Sequence, residues 1–212
     1  MEHMPIQWLM EVPVVTRCYT IGIVGVSLLE SAGYVTERDL VYTFEDVFVR
    51  GQVWRLLTSI LYFGPFTWDS ILGLYMTVRY SQNLEQSFYQ TRHYIWCLAF
   101  LSTGLIIFST LVHPLYKIGT YLVDTLLYIY SRRNPTQALQ LMGLYRFDSL
   151  YLPQVFFCLA VLGSQSQSMG IRLMQSSSIV ELIIGYLWGH VYLFLVDVWP
   201  KLHGSDPTGA RM

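Results

Sequence analysis

The residues best placed for chemistry lie in one apolar stretch, Glu181-Leu-Ile-Ile-Gly185-Tyr-Leu-Trp-Gly189-His190-Val-Tyr-Leu-Phe-Leu-Val-Asp197. A histidine in the middle of such a segment is a candidate general base, and a base needs a nucleophile opposite it. An intramembrane serine protease would supply one from a Gly-x-Ser-Gly turn at the start of the fourth hydrophobic span. Here that region reads Lys117-Ile118-Gly119-Thr120-Tyr121, and no Gly-x-Ser-Gly occurs in the sequence. Thr120 has no sequence neighbour that would activate it as a substitute. His190 is therefore expected to be buried and hydrogen-bonded within a helix bundle. Gly185 and Gly189, four residues apart, form a small-residue face on which another helix can approach to backbone contact. Asp124, mid-way along the fourth span, is the costliest charge and calls for a partner, a proton or a water-filled groove. Cys18, Cys97 and Cys158 stand singly in apolar segments, as buried structural thiols would. No His/Cys/Asp/Glu cluster suggests a metal site, and no cofactor is implied.

These residues need a scaffold, and the composition points to a membrane bundle. Of 212 residues 53% are hydrophobic, 16% aromatic and only 13% charged, against about 25% charged in soluble domains. The net charge of -1 and the absence of a basic run longer than Arg132-Arg133 set nucleic acid aside. Six hydrophobic spans are expected: Val14 to Leu29, Thr67 to Gln82, Tyr94 to Val112, Leu115 to Tyr130, Leu150 to Gly163 and Glu181 to Asp197. That leaves no separate catalytic domain: residues 1–200 form one membrane domain and 201–212 a short polar tail. The first span is expected to insert as its own anchor, with no signal peptide removed.

Five of the six spans are short. The uncharged part of the last reaches roughly 22 Å and that of the first about 18 Å, against a hydrocarbon core of about 30 Å. The second is interrupted by Asp69 and Arg79 and continues through Ser81, Gln82, Asn83, Glu85 and Gln86, groups that must snorkel, pair or face water. Residues 1–13 suit an interfacial helix, and Ser31 to Gly64, where acids and arginines alternate with Tyr34, Tyr42, Phe44, Phe48 and Trp54, suits an ordered interfacial element. With both termini on one side, eight basic residues lie there and five on the other, which makes both termini cytosolic.

Further stretches give the chain a family likeness: Pro13-Val-Val-Thr16-Arg17-Cys-Tyr19-Thr20, Gln52-Val-Trp54-Arg55-Leu-Leu-Thr58 with Tyr62-Phe-Gly64-Pro65, Arg79-Tyr80 with Leu84-Glu85, Tyr130-Ser-Arg132-Arg133-Asn134-Pro135, Leu152-Pro153, and Gly185-x-x-x-Gly189-His190-x-Tyr192 with Asp197-Val-Trp-Pro200. In these the sequence resembles the Derlin family, rhomboid-like pseudoproteases of the endoplasmic reticulum, and its shorter, yeast Der1-type members. The resemblance implies an all-α, multi-pass membrane protein with a six-helix rhomboid-like fold and no peptidase chemistry. It further implies a role in endoplasmic-reticulum-associated degradation, beside a membrane RING ubiquitin ligase and its adaptor subunits, with misfolded lumenal proteins as substrates. Longer Derlins carry a cytosolic tail motif for an AAA ATPase, so here the ATPase is expected to act only indirectly.

Short spans thin the bilayer, because hydrophobic mismatch costs fractions of a kcal/mol per Å. Spans two and five are expected to flank a lateral gate into a hydrophilic cleft marked by Arg79, Gln82, Asn83, Asp124 and Gln165. Trp54 and Arg55 would anchor the first loop, the indole at headgroup level and the guanidinium on phosphate or a nearby carbonyl. The competing readings are an active rhomboid-type protease, opposed by the missing nucleophile, and a small-solute transporter, for which no inverted repeat is visible.

Overall fold

The structure, a computed structural model, describes residues 12–65, 68–88, 90–112, 114–141, 145–165, 179–199 and 201. The expected interfacial helix over residues 1–13 lies almost wholly outside these. The chain divides into two compact units, Met1–Gly119 and Thr120–Met212.

The first unit opens with helix α1, Val14–Ser31. Its many β-branched residues are poor helix formers in water. In lipid the backbone must satisfy its own hydrogen bonds, so helix is the available form. Thr16, Thr20, Ile23 and Ser27 make its buried stripe, while Ile21, Leu28 and Leu29 face outward. The helix stops at Gly33, whose φ of 78° is left-handed and whose N–H is donated to the Glu30 carbonyl.

The first loop is ordered, as its alternation of charge and aromatics predicts. It holds a four-residue helix α2, Glu37–Leu40, started by a Thr36/Asp39 capping box. A wide i→i+5 turn over Glu45–Val49 follows, and then helix α3, Trp54–Leu61. Helix α4, Trp68–Ser87, runs past the expected end at Gln82, and helix α5 spans Thr91–Leu111.

The fourth span begins later than expected, as helix α6, Ile118–Arg133, which crosses from the first unit into the second. Leu115 is occupied elsewhere: its N–H is donated to Ser109 Oγ at 2.8 Å, and the Tyr116 carbonyl accepts the Tyr42 N–H at 2.9 Å. Arg132 and Arg133 in the last turn complement the carbonyl end of α6. A hairpin follows that the sequence reading did not foresee. Its strands β1, Ala138–Leu141, and β2, Tyr145–Asp148, are antiparallel, with Ala138 opposite Asp148. A 3₁₀ turn, Ser149–Tyr151, leads into helix α7, Leu152–Gln165, and helix α8, Ile179–Leu193, ends in a second wide turn over Phe194–Val198.

Helices thus stand at all six expected spans. Among the described residues two are both long and apolar enough to cross a bilayer by themselves, α1 with 18 residues and α5 with 21. At 1.5 Å per residue these measure roughly 27 and 31 Å. Helix α4 has 20 residues but is broken in character by Asp69, Arg79 and Glu85. Helices α6, α7 and α8, with 16, 14 and 15 residues, are shorter.

The cysteine expectation needs correcting. Cys97 is buried, but Cys18 and Cys158 are exposed. Apolar and thiol side chains on a spanning helix can face hydrocarbon as readily as protein, so an apolar setting does not imply burial.

Candidate functional site

The glycine face of α8 closes on α6. A Cβ at Gly185 would stand 2.8 Å from Asp124 Cβ, 3.1 Å from Thr125 N and 3.2 Å from the Tyr121 carbonyl oxygen. One at Gly189 would stand 2.9 Å from Tyr128 Cδ1 and 3.2 Å from the Thr125 carbonyl oxygen. The two helices therefore run in the same direction in backbone contact, the arrangement that a small-xxx-small spacing permits.

This packing decides the setting of the two residues singled out for chemistry. Asp124 is 2% exposed, beneath Gly185. His190 is exposed rather than buried, because it sits one position past the contact face. Its Nδ1 lies 3.1 Å from the Tyr128 hydroxyl, and the two rings meet edge to face with centroids 6.3 Å apart. The expected hydrogen bond within the bundle is present, and the acceptor or donor it engages is a phenol. Tyr128 also stacks on Tyr186 at 5.6 Å, and the Tyr186 hydroxyl donates to the Pro153 carbonyl at 3.1 Å, which ties α7 to α8.

In the first unit Arg55 organises the loop. Its side chain is buried, unlike that of Trp54, which is 56% exposed at the start of α3. Arg55 Nε donates to Gln52 Oε1 at 2.6 Å, and Nη1 donates to the carbonyls of Arg38 and Val41. Nη2 lies 3.6 Å from Asp46 Oδ2 and 4.0 Å from Asp39 Oδ1. Of the two expected partners the guanidinium takes the carbonyl, and it gathers α2, the wide turn and α3 around one fork. Hydrogen bonds from Thr36, aided by the Arg55 charge, hold the Asp39 carboxyl below its usual range. A hydrogen bond from the Thr43 hydroxyl, with Arg55 and Arg50 nearby, does the same for Asp46. At the far edge of this element the Tyr62 hydroxyl donates to Glu30 Oε1 at 2.6 Å, and the Lys117 ammonium lies 5.4 Å from the Tyr62 ring centre.

The polar end of α4 is less uniform than its sequence suggests. Arg79 is exposed, and Gln82 and Asn83 are half-buried. Glu85 is buried and belongs to α1: Oε2 accepts the Thr16 N–H at 2.8 Å and its hydroxyl at 2.7 Å, and Oε1 accepts the Val15 N–H at 3.2 Å. Pro13 leaves the start of α1 without a side-chain cap, and a carboxylate from another helix takes that place. Sequence reasoning missed this role; the signals were an acid within an amidic run and the presence of both Leu84-Glu85 and Pro13-Val-Val-Thr16 among the stretches of family likeness. Gln165 is the last residue of α7, and residues 166–168 of the Ser/Gln loop lie outside the described residues. The five residues assigned to a cleft are thus shared between the units, Arg79, Gln82 and Asn83 in the first and Asp124 and Gln165 in the second.

A model of the Der1-like family matches residues 12–208. The chain is 27% identical to "Degradation in the endoplasmic reticulum protein 1" of Saccharomyces cerevisiae, over 97% of this chain and 93% of that protein. It is 29% identical to a probable derlin-1 homolog of Dictyostelium discoideum, over 93% of this chain and 78% of the relative. With Derlin-2 of Oryza sativa subsp. japonica the identity is 25%, over 95% and 81%.

Proposed function

The chain belongs to the Der1-like family, and from that membership we propose that it is a non-catalytic component of endoplasmic-reticulum-associated degradation. In this reading it sits in the endoplasmic reticulum membrane with both termini cytosolic, and all six long helices cross the bilayer. It assists the passage of misfolded lumenal proteins to the cytosol through a lateral gate and a hydrophilic cleft. A membrane ubiquitin ligase with its adaptors completes the path.

The observation that carries the reading is the family match across residues 12–208, supported by a relative named for degradation in the endoplasmic reticulum that aligns over 93% of its own length. Two physical features agree with it. Helices α6 and α7, at roughly 21 to 24 Å, are shorter than a hydrocarbon core of about 30 Å and favour a thinned bilayer. The end of α4 offers polar side chains at Arg79, Gln82 and Asn83, groups that must snorkel, pair or face water.

The test is turnover of a misfolded lumenal protein in cells lacking this chain, rescued by the wild type or by Gly185→Leu, with expression and membrane insertion checked. Rescue by the wild type and failure by an inserted Gly185→Leu supports the reading. Normal turnover without the chain overturns it. A protease reading predicts instead that His190→Ala abolishes cleavage of a membrane substrate.

A further inference from the structure

Within the second unit α6, α7 and α8 enclose a groove of about 530 Å³ that neither the glycine face nor the loop explains. Its rim carries Arg132, whose guanidinium carbon lies 5.3 Å from the Tyr128 ring centre. Its walls include Phe157, Ile183 and Leu187, all exposed, the last at 64%. His190 and Tyr128, hydrogen-bonded to each other, stand between the rim and the apolar wall. Among the described residues no carboxylate lies within ion-pair distance of Arg132.

We propose that this groove seats one glycerophospholipid, its phosphate on Arg132 and an acyl chain along Phe157, Ile183 and Leu187. Depth and charge both point to that occupant. Gly189 touches Tyr128, so His190 and Tyr128 lie at one level of the parallel helices α6 and α8. Arg132 is one turn beyond that level and Ile183 two turns before it, so the groove runs roughly 16 Å along the helix axis. That is half of a hydrocarbon core of about 30 Å, the thickness of one leaflet. The charged end is at the carbonyl terminus of α6, next to Arg133, where a bilayer presents headgroups. A guanidinium offers two parallel donors to a phosphate, and the volume lies within the range of sites that hold small ligands. The proposal rests on the membrane placement argued above but not on the degradation role.

Cys158 lines the same groove and is exposed, so its alkylation rate reports occupancy. The full chain carrying Cys18→Ser, which leaves Cys97 buried, is purified in non-ionic detergent and titrated with phosphatidylserine or phosphatidylcholine. Both are expected to slow alkylation of Cys158 in a saturable way, whereas inorganic phosphate and diacylglycerol are not. Arg132→Gln should raise the half-protecting lipid concentration by about tenfold or more, the loss of a charge-assisted hydrogen bond. Leu187→Trp, which would fill the groove, should lower the basal alkylation rate of Cys158 and remove its dependence on added lipid. Equal protection by diacylglycerol or by phosphate, an unchanged titration in Arg132→Gln, or no protection by either phospholipid overturns the proposal. Because degradation is not the readout, a chain dispensable for turnover would still pass or fail here on its own.

Discussion

Replacing Gly185 with alanine adds one methyl group where the fold has least room to receive it. The new Cβ would meet Asp124 Cβ at 2.8 Å, Thr125 N at 3.1 Å and the Tyr121 carbonyl oxygen at 3.2 Å. Two of these three atoms are backbone of α6, so relief requires the helices to separate. Overpacking of this kind costs about 1–3 kcal/mol, and the better helix propensity of alanine returns up to about 1 kcal/mol. At Gly189 the nearest obstacle is Tyr128 Cδ1 at 2.9 Å, a ring that can turn at the expense of its bond to His190. A Cβ at Gly25 in α1 would have open space around it, with no neighbour within 4 Å, so this position serves as a control. The expected order of destabilisation is Gly185→Ala, then Gly189→Ala, then Gly25→Ala, which should be neutral or mildly stabilising. A net loss of 1–2 kcal/mol at position 185 lowers the thermal midpoint by roughly 2–8 °C for a chain of this size. Thermal unfolding of the purified protein in detergent measures it. If Gly185→Ala and Gly189→Ala both melt with Gly25→Ala, close approach of α8 to α6 is not what these glycines provide.

Glu85→Gln keeps the shape but loses the charge that accepts three bonds from the start of α1; it should cost about 1.5–3 kcal/mol and raise hydrogen exchange at Val15 and Thr16. Arg55→Lys cannot reproduce the fork that reaches the Arg38 and Val41 carbonyls, so protease sensitivity of the loop over residues 37–53 should rise while α5 stays protected. The lowered carboxyls of Asp39 and Asp46 give a sign for pH: their stabilisation of the loop is complete above the ordinary carboxylate value of about 3.9 and is lost as pH falls through their lower folded values. Trp54 fluorescence in vesicles should therefore stay constant down to about pH 4 and change only below it; a transition near neutral pH would contradict that assignment. Trp54→Ala should leave the unfolding free energy within about 0.5 kcal/mol of wild type, as expected for an exposed side chain, yet remove the share of tryptophan quenching by brominated lipid that the first loop contributes.

Periodicity and punctuation made much of this fold readable in advance. Runs of apolar residues bounded by charge located the six long helices among the described residues, because a backbone in lipid has little choice but to coil. The glycine spacing on the last helix announced a close neighbour, though not that α6 would be the neighbour or that His190 would fall just outside the contact. What the chain did not disclose are pairings over distance. Glu85 reads as one more polar residue at a helix end until Thr16, 69 positions earlier, is seen beside it. Arg55 reads as an interfacial anchor until the loop is folded around it. The strand pair, Ala138–Leu141 with Tyr145–Asp148, went unseen because four residues is the shortest run over which alternation can be read. The Lys117-Ile118-Gly119 start of α6 hid a further close approach: a Cβ at Gly119 would lie 2.5 Å from the Ile60 carbonyl oxygen.

The carboxylate that finishes α1 also sets a timetable for synthesis. The amide groups of Val15 and Thr16 leave the ribosome well before Glu85 exists, with 69 positions between Thr16 and its acceptor. At about 5–20 residues per second that interval is roughly 4–14 s. Through it the donors at the start of α1 lack the acceptor they have in the folded protein, and water or headgroups are what remain to satisfy them until the end of α4 arrives.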